Sequence, residues 1–205
     1  MPEITRVRER RGRARIFVDG EFWGEIDADV AVERGLREGA ALGLEELEAA
    51  RVAGERALAM NRALHFLGYR ARSRSEVRGR LRRYGYGEET VGTVIGRLEE
   101  LGYLDDEEFA RTVVREKARR YGPRRVSADL RRSGVDAELA QDIVEEEFAG
   151  RSEVEAARSV AARRYNRSGS DAEARRVYGF LMRRGYSAEV CAEVSREFRG
   201  ASGAG

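Results

Sequence analysis

The sequence predicts a mainly α-helical protein: a tandem array of three three-helix repeats in an elongated, curved arrangement, preceded by a small N-terminal β-hairpin subdomain. Three observations carry that prediction. The hexamer Leu81-Arg82-Arg83-Tyr84-Gly85-Tyr86 recurs as Leu130-Arg131-Arg132-Ser133-Gly134-Val135 and as Leu181-Met182-Arg183-Arg184-Gly185-Tyr186, at spacings of 49 and 51 residues. Apolar residues around each copy return every three or four positions, the period of a helix with one buried face. Only 2 prolines interrupt the 205 residues, and 37% of them are charged against 41% hydrophobic. That balance suits thin helical modules with much wetted surface better than one thick core. The expected divisions are 1–43 for the hairpin extension, 44–104 for a connecting helix with the first repeat, 105–150 for the second repeat, 151–200 for the third and 201–205 for a disordered tail.

The one convincing β stretch runs from Arg13 to Ile26. Asp19-Gly20 between two apolar runs is the favoured type I′ hairpin turn. In that register Phe17 faces Phe22, and Ile16 faces Trp23. A lone hairpin is marginal in water, so Ile4–Val7 is a candidate third strand, with Val30, Val32 and Leu36 in a short covering helix. Phe17, Phe22 and Trp23 have two readings, a stacking platform for bases or the core of so small a subdomain. The second is favoured. After the break at Gly39 to Gly43, a long helix runs toward Gly68, with Gly54 as a point of interruption.

In the first repeat, Leu58, Met60, Ala63, Leu64 and Leu67 share a helix face. Ser73 and Glu76 then form a capping box, Val77 and Leu81 supply the next core face, and Val91, Val94, Ile95, Leu98 and Leu101 the third. The second repeat starts at Asp105-Asp106, passes Phe109, Val113 and Val114 to Tyr121, and turns at Gly122-Pro123, where Pro at the first helical position costs no hydrogen bond. The third starts near Ser152, passes Val154, Val160 and Tyr165, crosses a polar loop at Asn166 to Ser170, and continues through Val177, Phe180 and Leu181. Each hexamer reads as the last turn of a second helix, with a buried Leu, cations that oppose the negative dipole end, and a capping Gly. Aligned on that Gly, the repeats agree at Val77, Val126 and Val177, at Tyr86, Val135 and Tyr186, at Glu89, Glu138 and Glu189, and at Val94, Ile143 and Val194. Agreement at buried and capping positions together identifies true repeats.

Catalytic constellations are missing from this pattern. His65 is the single histidine and has no partner suggesting a triad or zinc. Cys191, the single cysteine, aligns with Val91 and Ala140 and reads as packing. Asp105-Asp106-Glu107-Glu108 opens a helix, where capping accounts for it. No Walker-type phosphate loop occurs. The expectation is a protein that is not an enzyme and needs no cofactor or metal. One cysteine and no long apolar run point to a reducing cytoplasm without membrane contact.

A net charge of +2 hides alternating blocks. Arg62 to Tyr84 holds eight bases and one acid, and Glu88 to Glu108 eight acids and one base. Arg111 to Arg132 holds nine bases and two acids, and Asp136 to Phe148 six acids and no base. Such blocks can gather one sign of charge on one side of a molecule.

Arg72-Ser73-Arg74-Ser75-Glu76-Val77 with Leu81, followed by Leu101-Gly102-Tyr103-Leu104-Asp105-Asp106-Glu107-Glu108-Phe109-Ala110, resembles the RecX family, bacterial modulators of the RecA recombinase. The resemblance continues through Gly122-Pro123 and the two later hexamers, covers Arg56 to Phe198, and constrains the N-terminal hairpin only weakly. It implies a tandem of three-helix repeats that binds the groove of the RecA–DNA filament and inhibits ATP hydrolysis, strand exchange and co-protease activity, and the chain is expected to act as a monomer. The resemblance supplies no catalytic residue.

The arginines expected to grip filament or DNA are Arg72, Arg74, Arg82, Arg83, Arg119, Arg120, Arg124, Arg125, Arg131, Arg132, Arg163, Arg164, Arg183 and Arg184, because guanidinium forks match phosphates and carboxylates alike. Those in the hexamers also complement helix dipoles, and both roles stay open. Two other functions remain: a stand-alone, non-specific DNA-binding repeat protein and a protein-interaction scaffold.

Overall fold

The computed structural model describes residues 1–166 and 170–199. Its elements are β1 (Ile4–Arg10), β2 (Arg13–Val18), β3 (Glu21–Asp27), α1 (Ala28–Glu33), α2 (Leu44–Leu67), α3 (Arg74–Arg83), α4 (Glu88–Glu100), α5 (Asp106–Lys117), α6 (Pro123–Arg132), α7 (Ala137–Ala149), α8 (Glu153–Ala162), α9 (Asp171–Arg184) and α10 (Ala188–Phe198). The chain divides into two compact units, Met1–Leu104 and Asp105–Gly205.

In the first unit β1, β2 and β3 form an antiparallel meander. Asp19 and Gly20 both take positive φ, 49° and 87°, as the type I′ turn demands. The third strand exists and runs three residues past the expected Val7. Phe17 pairs with Phe22, but Ile16 pairs with Gly24 rather than Trp23, because a bulge between Ile16 and Phe17 leaves Trp23 as an extra residue on β3. Ala14, Ile16 and Ile26 face inward and pack with Ala28, Ala31, Leu36, Leu47 and Ala50, with Trp23 half-buried beside them. Strand residues alternate faces, so with Ile16 inward, Phe17 turns outward with its partner Phe22. Of the three aromatics read as core, only Trp23 packs there. Val32 is likewise exposed, and the inward stripe of α1 falls on Ala28 and Ala31.

Helix α2 runs unbroken through Gly54. A Cβ at that position would collide with the Ile26 side chain, so glycine there permits close approach of helix to sheet. The same helix delivers Ala59 and Ala63 to a second core with Val77, Leu81, Val91, Val94, Ile95, Leu98 and Leu104. The second unit holds two cores, one from α5 to α7 around Val126, Leu130 and Ile143 and one from α8 to α10 around Val177, Leu181 and Val194. All three aligned Val and Leu pairs of the second helices are fully buried. Part of the polar loop at Asn166 to Ser170, and the tail at 201–205, lie outside the described residues.

The three hexamers close their helices identically. Gly85, Gly134 and Gly185 are left-handed, with φ of 89°, 79° and 86°. In each, the glycine N–H donates to the carbonyl three residues back and the next N–H to the buried leucine: Gly85 to Arg82 and Tyr86 to Leu81, Gly134 to Arg131 and Val135 to Leu130, Gly185 to Met182 and Tyr186 to Leu181. This is the Schellman motif.

Candidate basic interface

The charge blocks are in part spent on one another. Arg82 of α3 grips Glu88 of α4, with Nη2 donating to Oε2 at 2.7 Å, and this hydrogen bond is the main cause holding the Glu88 carboxyl below its ordinary value. Arg74 pairs with Glu99. Arg72 reaches Glu76 at 3.6 Å with its side chain only 16% exposed. In α6, Arg125 and Arg132 both reach Asp129 Oδ1, at 3.3 and 2.7 Å, while Lys117 Nζ donates to Oδ2 at 2.6 Å. Burial alone would raise the Asp129 carboxyl, but the hydrogen bonds from Lys117 and Arg132 outweigh it and hold the group below its usual range. Five of the fourteen arginines are thus tied to carboxylates, which lowers their value as free ligands.

Arg72 has a second tie. Its guanidinium lies 4.1 Å from the Phe66 ring centroid, Arg80 lies 5.5 Å from Phe66 and 4.9 Å from Tyr84, and Arg62 lies 4.2 Å from Tyr84 and 5.9 Å from Tyr86. The Nε atoms of Arg62, Arg72 and Arg80 are buried with no hydrogen-bond partner. Ring faces supply the compensating negative potential, so this ladder of alternating cations and rings is a structural feature of the first unit. Sequence reasoning missed Arg62 and Arg80, because the rings that hold them come from three separate helices or their ends.

Among the described residues, Arg83, Arg119, Arg120, Arg124, Arg131, Arg163, Arg164, Arg183 and Arg184 make no salt bridge. Five of these converge. An open cleft of about 380 Å3 in the second unit is lined by Arg119, Arg120, Arg163, Arg164 and Arg184, with Tyr121, Val160 and Phe180, and no carboxylate lines it. Arg184 lies 4.9 Å from both the Tyr121 and Phe180 centroids, and Arg164 lies 5.6 Å from Phe180. Arg83, Arg131 and Arg183 lie elsewhere, with Arg83 Nε donating to Gly79 O at 3.3 Å and Arg124 and Arg131 lining a groove between α6 and α7.

A backbone seam builds the cleft. The Gly122 N–H donates to Arg184 O at 2.9 Å and the Arg124 N–H to Gly185 O at 3.2 Å. The first turn of α6 is therefore capped by the end of α9 rather than by a side chain, and opposite dipole ends meet. Both glycines are needed. A Cβ on Gly122 would reach within 2.7 Å of Gly185 C and Tyr186 N, and one on Gly185 would strike the Arg125 backbone. Arg184 Nη1 donates to Arg120 O at 3.0 Å across the same seam, which holds the 119–121 turn beside Arg163 and Arg164.

His65 is exposed and its Nε2 lies 3.1 Å from Tyr69 Oη. Cys191 is fully buried, and burial pushes its thiol up to about 11. Among the described residues, no group of His, Cys, Asp and Glu is placed to hold a metal ion, and no helix is long and apolar enough to cross a membrane.

Family models described as the first, second and third three-helix domains of RecX match residues 59–98, 105–143 and 152–194. The chain belongs to the RecX family. Regulatory protein RecX of Mycobacterium sp. (strain JLS) is 39% identical over 139 residues, covering 64% of this chain and 76% of the relative. Regulatory protein RecX of Lactobacillus johnsonii is 35% identical over 146 residues, covering 69% of this chain, which spans about half, 54%, of that relative. The Caldanaerobacter subterraneus relative is 27% identical over 91% of this chain and 94% of its own length. A RecX crystal structure superposes with a TM-score of 0.67 at 24% identity, covering 96% of this chain, and RecX from Lactobacillus salivarius with 0.61 over 71% of it. The fold is that of RecX. The three family matches begin at residue 59, so the sheet of the first unit lies outside them.

Proposed function

We propose that this RecX-family chain is a non-enzymatic regulator that binds the RecA–DNA filament and inhibits its ATP hydrolysis, strand exchange and co-protease activity. The supporting observation is the cleft of Arg119, Arg120, Arg163, Arg164 and Arg184, a set of cations with no carboxylate among them. Such a cleft receives phosphates of filament DNA or carboxylates of the recombinase, and Tyr121 and Phe180 add ring surface. The protein acts in the cytoplasm as a monomer and needs no cofactor. Holding the filament in one state hinders the motions that hydrolysis and strand exchange require.

The test is the ATPase rate of RecA on single-stranded DNA, titrated with this protein and with its Arg119→Glu/Arg163→Glu/Arg164→Glu variant. Wild type is expected to slow hydrolysis, and the variant to need at least tenfold more protein for the same effect at unchanged thermal stability. Wild-type protein that leaves the rate unchanged removes the recombinase from the proposal. Equal potency of the variant removes the cleft.

A further inference from the structure

We propose that the outer face of the N-terminal sheet is a second binding surface, specific for unpaired DNA bases. The cross-strand pairs of β1 and β2 are Arg6 with Phe17, Arg8 with Arg15 and Arg10 with Arg13, and those of β2 and β3 are Phe17 with Phe22, Arg15 with Glu25 and, at the end of the ladder, Arg13 with Asp27, which is buried. Paired residues share a face. Five guanidiniums and two phenyl rings therefore stand together on the side opposite Ala14, Ile16 and Ile26.

The face is poor for folding and good for binding. Arg8 against Arg15 and Arg10 against Arg13 are like charges directly opposite, an arrangement that destabilises a sheet. Glu25 neutralises only Arg13, whose Nη1 it accepts at 2.8 Å. Among the described residues, Arg6, Arg8, Arg10 and Arg15 make no salt bridge. Phe22 is 53% exposed, an unusual site for phenylalanine in a strand whose inner face offers a core. Phe17 meets it edge to face at 5.7 Å, while Arg15 sits 4.9 Å from the Phe22 centroid and Arg6 5.8 Å from that of Phe17.

The occupant follows from charge and shape. Four unpaired cations call for a polyanion, and exposed rings beside guanidinium planes offer stacking, which needs bases that are not already paired. An acidic protein would satisfy the arginines and leave the rings without a use. Single-stranded nucleic acid satisfies both. The choice of DNA rests on the proposed RecA role.

Fluorescence anisotropy of the full chain with labelled dT15 tests this, alongside the same oligomer built from abasic sites. Wild type is expected to prefer dT15. Phe22→Ala should weaken dT15 binding about tenfold, leave abasic binding unchanged and abolish the preference. Arg8→Gln/Arg10→Gln should weaken both oligomers and lower the slope of log affinity against log salt by about 1.4, at about 0.7 per lost phosphate contact. Equal binding of dT15 by Phe22→Ala and wild type overturns the proposal. So does displacement of dT15 by polyglutamate of equal charge at equal concentration, which would assign the face to an acidic protein, and so does tighter binding of rU15. Because these readouts use no recombinase, failure here leaves the ATPase result standing, and the reverse.

Discussion

The helix ends at Gly85 and Gly185 carry aligned hexamers that differ at two positions, with the same left-handed glycine and the same pair of closing hydrogen bonds, yet they serve different ends. Nothing lies within 4 Å of a Cβ built on Gly85, whereas one on Gly185 strikes the Arg125 backbone. The arginines diverge likewise. Arg82 beside the first end is held by Glu88, while Arg184 beside the other reaches across to the Arg120 carbonyl and joins four more cations around Tyr121 and Phe180. The comparison teaches that the motif determines how a helix stops. What the stop is used for depends on the neighbouring element, here the start of α6.

The largest expected effect is on the seam. Gly185→Ala should destabilise the second unit by about 3 kcal/mol or more, since a strained φ costs about 1–3 kcal/mol and overpacking about as much again. Gly85→Ala meets only the strain and should cost about 1–2 kcal/mol. Urea unfolding of both variants measures the difference. Equal losses would show that the α6–α9 approach contributes little.

Next comes the contrast between free and paired arginines. Arg163→Glu/Arg164→Glu should lower affinity for RecA-coated single-stranded DNA about tenfold, equivalent to about 1.4 kcal/mol, and flatten the dependence of that affinity on salt. Arg82→Glu, at a side chain already engaged by Glu88, should change affinity less than twofold and leave thermal stability nearly unchanged, as exposed pairs do. A larger effect from Arg82→Glu than from the cleft pair would reverse the assignment of the interface.

Asp129 offers a smaller, pH-dependent test. Its folded carboxyl is held below the ordinary 3.8, so its stabilising contribution is present above that value and is lost as pH falls through the folded one. Asp129→Asn should therefore be less stable than wild type at neutral pH, and the gap should narrow below about pH 4. A gap that stays constant in acid would show that Lys117, Arg125 and Arg132 do not act on the ionised carboxylate.

Much of this architecture was legible from residues alone, because burial and capping leave periodic marks. Val77, Val126 and Val177 with Leu81, Leu130 and Leu181 are core in all three repeats, and the hexamer glycines are the caps their positions imply. The Asp19-Gly20 turn and the Ser73–Glu76 capping box also stand as read. The failures have different causes. Ile16 facing Trp23, Val32 covering the sheet and Leu101 as core, which is 48% exposed, depended on a bulge, a helix phase or a helix end that no local pattern records, whereas Phe17 and its partner Phe22 as core went against a pattern that was there to read. The binding surface was legible only as a set of arginines. Which of them are free depends on carboxylates brought in by other helices, such as Glu88 to Arg82 and Glu99 to Arg74. A signal for the sheet face was present, in Arg6, Arg8 and Arg10 and in Arg13, Arg15 and Phe17 at the period of two that a strand requires.

The smallest expected effect returns to the residue after each glycine. Tyr86 is half-buried with Arg62 over its ring, whereas Tyr186 is 1% exposed and its hydroxyl finds no hydrogen-bond partner. Burial pushes the Tyr186 phenol from 10.0 up to about 12. Its neutral form is the one the fold holds, so the stability it supports is complete below pH 10 and is lost as pH rises through about 12. Tyr186→Phe keeps the ring and removes the unpartnered hydroxyl, whose desolvation costs about 1–3 kcal/mol less any compensation. The variant should gain about 1 kcal/mol at neutral pH in urea unfolding and lose the tyrosine's share of the alkaline decline. Part of the slope that remains belongs to the Cys191 thiol, which burial pushes up to about 11, and part to the Tyr86 phenol, which burial also raises. Tyr86→Phe, with no stranded hydroxyl to relieve, should gain nothing. A destabilised Tyr186→Phe would mean that the phenol oxygen is hydrogen-bonded in solution, and the two aligned tyrosines would then differ in depth but not in chemistry.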